Sequence, residues 1–143
     1  MLDYSTLWLT SSLRGCVTFN MKVTTTVNGV HSGSGGGIVP ESFRVVNTLL
    51  DRIEDPVTRR IKFLEVDIPQ AYIDEAKEVM EIVGDKLHQD MGLSAGCIPF
   101  NHDNLPEMYL NNTWRPALAV TGAEGFPPLS KAGNVLRPYT AIR

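Results

Sequence analysis

A mixed α+β fold, with an antiparallel sheet and helices on one of its faces, is predicted for this 143-residue chain by three features. Residues 13–26 alternate: Val17, Phe19, Met21 and Val23 fall on one face, and Cys16, Thr18, Asn20 and Lys22 on the other. That is the period of a half-buried strand rich in β-branched residues. Two segments repeat apolar residues at helical spacing, Phe43-Val46-Leu50-Ile53 and Ile73-Ala76-Met80-Val83. Short strand-like runs then return after residue 116. The predicted order is strand, helix, insertion, strand, strand.

Each element has its own start and stop signals. Asn28-Gly29 is a turn after the first strand. Val30-His31-Ser32-Gly33-Ser34-Gly35-Gly36-Gly37 follows. It reads as a loop in which backbone can come close to another group, with His31 at its edge. Pro40 suits a first helical turn. Asp55-Pro56 stops that helix, because a residue before proline avoids the α region. Pro69 opens the second helix and Gly84 ends it. Its polar face, Asp74, Glu75, Lys77, Glu78 and Glu81, is a solvated face with pairs such as Asp74 with Lys77. Residues 85–91 suggest one more short helix. Residues 92–112, rich in Gly, Pro and Asn, read mostly as loop. Residues 117–121 read as a short strand and residues 122–133 as a connection. Residues 134–143 read as a last strand, with Pro138 pointing to an edge position or a bulge.

Composition narrows the function classes. Hydrophobic residues make up 43% and charged residues 20%, the balance of a soluble domain with a real core. A net charge of −3 offers no basic field for nucleic acid or an anionic membrane. No apolar run approaches the roughly 20 residues of a membrane span, and no signal peptide is evident. Cys16 and Cys97 read as two small buried thiols of a reducing compartment, and a cytoplasmic location is expected. The apolar opening near Trp8 and the strand-like ending Thr140-Ala141-Ile142-Arg143 both suggest a piece of a larger protein.

The chemical motifs are mostly negative. The glycine loop lacks the lysine of GxxxxGK[ST]. GxGxxG fails in both registers, at Ile38 and at Pro40, and neither Ser32 nor Ser34 stands in GxSxG. His88-Gln89-Asp90 and His102-Asp103 have neither the i,i+4 histidine pairing of a helical zinc site nor a CxxC partner. No acid–base pair is supported by spacing.

One resemblance stands out. Ser12-Leu13-Arg14-Gly15, an alternating strand, Val30-His31-Ser32-Gly33 with further glycines, and a helix closing Asn47-Thr48-Leu49-Leu50-Asp51 together resemble a known domain. It is the lid, or dimerisation, domain of the zinc-dependent exopeptidases that include carnosinase, aminoacylase and succinyl-diaminopimelate desuccinylase. Trp114-Arg115-Pro116-Ala117-Leu118-Ala119-Val120-Thr121-Gly122 with Glu124-Gly125 looks like a second family strand. Asn134-Val135-Leu136-Arg137-Pro138 looks like the segment opening the next, with the proline displaced. The likeness covers residues 12–54 and 113–142. An insertion at about 57–113 favours the carnosinase-like dipeptidase branch.

The resemblance carries specific implications. Residues 1–12 would be the tail of a catalytic domain or a linker, and residues 13–143 the lid. The lid would be a ferredoxin-like β-α-β-β-α-β layer, here without its second helix and fourth strand. His31 would reach the partner subunit's active site of a homodimer as an oxyanion or substrate contact, with Asn134 and Gly33 binding substrate. Two zinc ions and a glutamate base would belong to the parent protein, and this chain would hold no metal and be inactive alone. The parent's substrate would be a peptide or N-acyl amino acid. Two other readings remain: a stand-alone binding module with an anion-binding glycine loop, and a purely structural dimerisation domain.

Overall fold

The computed structural model describes Ser5, residues 7–11 and residues 13–143. Ser12 of the Ser12-Leu13-Arg14-Gly15 motif and most of the apolar opening, residues 1–4 and 6, lie outside the described residues. The elements in order are β1 (Met21–Thr24), β2 (Val30–His31), α1 (Ser32–Gly35), α2 (Ser42–Ile53), α3 (Gln70–Val83), α4 (Lys86–Gln89), α5 (Leu105–Thr113), β3 (Ala123–Glu124), β4 (Val135–Leu136) and β5 (Tyr139–Ile142). The class is α+β with antiparallel sheets, as the periodicities predict. The chain divides into two compact units, Met1–Gly15 with Phe63–Ala117 and Cys16–Lys62 with Leu118–Arg143. The sequence reading places its insertion at about 57–113; the second stretch of the first unit runs from Phe63 to Ala117.

The sheet unit is built around its last strand. β5 lies between β1 and β3, both antiparallel to it. β2 and β4 make a separate antiparallel pair. Helix α2 packs on β1 and β5, burying Val46 and half-burying Leu50 and Ile53. Ser42 at its start and Thr140 of β5 are both fully buried, and their hydroxyls meet at 2.9 Å. Each hydroxyl is thereby satisfied inside an otherwise apolar contact, which is why two polar groups are tolerated there. Gly125 has φ +101°, and a side chain there would run into the Tyr139 carbonyl. Only glycine lets that backbone pass so close to β5.

The helical unit is simpler. Ala76, Met80 and Val83 of α3 are buried, with Leu87 of α4 and Leu110 of α5. Trp8, Val79, Leu105, Met108 and Tyr109 pack against the Met80–Val83–Leu87 cluster. Burial, and then the Glu75 carboxylate, push the Tyr109 phenol above its usual range. Asp74 pairs with Lys77 at 2.9 Å, as the spacing predicts. That hydrogen bond, then one from Gln70, holds the Asp74 carboxyl below its usual range.

Several expectations are corrected. Only Met21–Thr24 of residues 13–26 is strand. Val17 (87%) and Phe19 (55%) stand exposed, because alternation supplies the faces of a strand but not its partner. Helix α5 replaces part of the expected loop at 92–112. Residues 117–121 are not strand; β3 comes two residues later. The last strand is split into β4 and β5 around Arg137-Pro138, because proline has no N–H for the ladder. Pro138 thus lies between strands, and β5 is central rather than an edge. Cys16 and Cys97 are exposed free thiols, not buried ones; each lies in an irregular segment with no core around it.

Candidate functional site

The glycine segment is not an open loop. Val30 and His31 pair with Leu136 and Val135 of β4. Ser32–Gly35 then winds into one helical turn. His31 is the N-cap of that turn, and its Nδ1 accepts the Gly33 N–H at 3.0 Å. The next N–H groups are also engaged. Ser32 donates to the Asn134 carbonyl at 2.9 Å, and Gly36 to the Ser32 carbonyl at 2.8 Å. A caged phosphate would need such groups free and convergent; here they close the turn on itself and on β4.

His31 and Asn134 are 103 positions apart in sequence, yet the β2–β4 ladder makes them neighbours. Asn134 directly precedes the Val135 that faces His31, and its carbonyl holds Ser32. Gly33 completes the cluster from inside the turn. All three expected site residues therefore meet at one exposed corner of the sheet unit. Gly33 spends its N–H on His31, not on a ligand. With Nδ1 accepting, the proton of the neutral ring sits on Nε2, as a donor. An exposed imidazole donor suits an acceptor oxygen: a carbonyl, or the oxyanion it becomes when attacked.

A second concavity was not foreseen. A cleft of about 540 Å³ is lined by one face of α2 (Asn47, Leu50 and Asp51), by Glu54 just past its end, by Pro56 and Arg59, and by residues 118–120. Glu54 is nearly buried and pairs with Arg59 at 2.8 Å. Arg59 has φ +59°, an uncommon conformation for a residue with a side chain. The turn before it is held by Asp55, whose Oδ1 accepts the Val57 and Thr58 N–H groups at 3.0 and 2.7 Å. Those bonds, chiefly the one from Thr58, hold the Asp55 carboxyl below its usual range. Asp55-Pro56 was legible as a helix stop; the Glu54–Arg59 pair, five residues apart in an irregular turn, had no sequence signal.

The arginine of the Leu13-Arg14-Gly15 motif has a local task. Its guanidinium donates to the carbonyls of Asn111 and Arg115 at 3.2 and 2.6 Å. It satisfies carbonyls left over at the end of α5. His88 lies on α4 and His102 in an irregular segment. Among the described residues, no three His, Cys, Asp or Glu side chains are grouped to hold a metal. No helix of the described residues is long and apolar enough to cross a membrane.

No family model matches the chain, and no curated protein does.

Proposed function

We propose that this chain is the lid and dimerisation portion of a zinc-dependent amide-bond hydrolase, a dipeptidase or carboxypeptidase of the cytoplasm. In this reading His31 is offered across a homodimer boundary to the partner subunit's active site. The observation that carries it is the corner where His31, Gly33 and Asn134 meet, with Nε2 of the imidazole left as the donor. The sheet supports the same reading. Its strand–helix–strand–strand run, with the first strand beside the last, is how a β-α-β-β-α-β layer begins. In this reading the zinc ions belong to the parent's catalytic domain, and no step is routed through them here.

The chemistry assigned to this chain is donation. The His31 Nε2–H and the Asn134 side-chain amide would bind the carbonyl oxygen of a peptide or N-acyl amino acid. They would hold it more tightly as it gains negative charge. In a longer parent protein carrying the catalytic domain, His31→Ala should lower turnover by about a hundred- to a thousand-fold. Zinc content and dimer mass should stay unchanged. Undiminished turnover would refute the role of His31. The reading as an anion-binding glycine loop is weakened by the engaged N–H groups of Ser32, Gly33 and Gly36.

A further inference from the structure

Two glycines of the turn that follows His31 do different structural jobs. Gly33 has its N–H on Nδ1 of the imidazole. It also has no side chain where the ring lies: a Cβ there would stand 3.1 Å from both Cε1 and Nδ1. Such a distance is tighter than ordinary packing, so the ring would have to move. A side chain at 33 would thus press on the ring and shift it by a few tenths of an ångström.

Gly35 acts one step further back. It is the buried residue of the turn. A Cβ there would meet Val30 Cγ1 at 2.7 Å, Leu136 Cδ1 at 3.2 Å and Val39 Cγ2 at 3.3 Å. Val30 and Leu136 are the cross-strand pair beside His31 and Val135. The turn is thus seated directly on the ladder that brings His31 to Asn134. A methyl group at 35 would lift the turn off that ladder and carry the Gly33 N–H away from Nδ1.

We propose that Gly33 and Gly35 are positioning residues for His31, Gly33 holding the ring through Nδ1 and Gly35 seating the turn that presents it. The pair keeps the proton on Nε2 and fixes where that donor stands on the β2–β4 ladder. The use made of the donor rests on the hydrolase reading above; the positioning itself does not.

The test uses the full 143-residue chain, labelled with ¹⁵N, without metal or substrate and at alkaline pH where imidazole is neutral. The native chain should show a coupling across the hydrogen bond between the Gly33 amide nitrogen and His31 Nδ1. Its ring should carry the nitrogen pattern of a single Nε2–H tautomer. Gly35→Ala should abolish the coupling and yield a mixture of tautomers, while β1 and β5 amides keep their native shifts. Ser34→Ala, an exposed position on the same turn, should leave the coupling in place. Should Gly35→Ala fail to fold, Gly33→Ala provides the same test by displacing the ring. A native chain without the coupling, or one that keeps it in both glycine variants, overturns the proposal. Because no turnover is read, this result stands apart from that of His31→Ala in the parent.

Discussion

The helical unit and the sheet unit are each held together internally, by contacts of different range. α3 and α5 meet within a stretch of about fifty residues, and apart from the Arg14 guanidinium on the end of α5 their supporting bonds are local. Asn104 caps α5 by accepting the Glu107 N–H at 3.2 Å, and Glu107 pairs with Arg115 at 2.7 Å. The sheet unit instead joins residues about a hundred positions apart: Ser42 with Thr140, Val30 with Leu136, Met21 with Ile142. A unit of the first kind rests on apolar packing and caps. One of the second kind rests on ladder register and on a few buried polar pairs, and there the candidate site lies.

The largest expected effect tests the packing side. Leu110 is 1% exposed in the helical core, so Leu110→Ala should cost about 2–5 kcal/mol. Hydrogen exchange of α3 and α5 amides would report it; unchanged protection there would show that α5 is not packed as described. The next tests the polar side. Thr140→Val removes one buried hydroxyl and leaves Ser42 with only its longer bond to the Arg137 carbonyl, at 3.3 Å, at a cost of about 1–3 kcal/mol by chemical denaturation. The double variant Ser42→Ala with Thr140→Val should cost less than the two singles together, because both singles break the same hydroxyl–hydroxyl bond. A double variant as unstable as the sum of the singles would mean that the hydroxyls do not act as a pair.

The smallest effect concerns the Asp55 turn. Its carboxyl is held below the ordinary aspartate value of about 3.9. A depressed carboxyl stabilises the fold above its unfolded value, and that contribution is lost as pH falls through the folded value. The window is therefore below about pH 4. Asp55→Asn retains an acceptor for the Val57 and Thr58 N–H groups but cannot titrate. It should flatten that acid limb in a stability titration; an unaltered acid limb would exclude Asp55 as its source.

Much of the helical architecture was legible. α2 and α3 appear where apolar spacing, a leading proline and a closing glycine or Asp-Pro place them. α5 was missed although Asn104-Leu105-Pro106-Glu107 carries an N-cap residue, an early proline and a glutamate at the third helical position. The surrounding Gly, Pro and Asn masked it. Strands were legible only as patterns, since residues 13–20 alternate as well as 21–24 do and only the latter meet a partner. The site divides the same way. His31 could be picked out beside its glycines, but nothing in a gap of 103 residues reveals that Asn134 lies next to it. That follows from the β2–β4 register. Which ring nitrogen donates follows from one backbone N–H.

The central place of β5 also orders the birth of the molecule. Synthesis runs from the N-terminus, and domains form as their parts emerge. All the helices of the helical unit are made by residue 113, and they can close on one another at once. β1 and α2 are made earlier still, yet their shared partner strand is Tyr139–Ile142. On the ribosome, Met21–Thr24 waits for a partner made more than a hundred residues later, with Val23 and Val46 uncovered in the meantime. Delayed long-range closure of this kind is slow and exposes strand edges. The unit that carries His31 is therefore the one most in need of protection while the chain is being made.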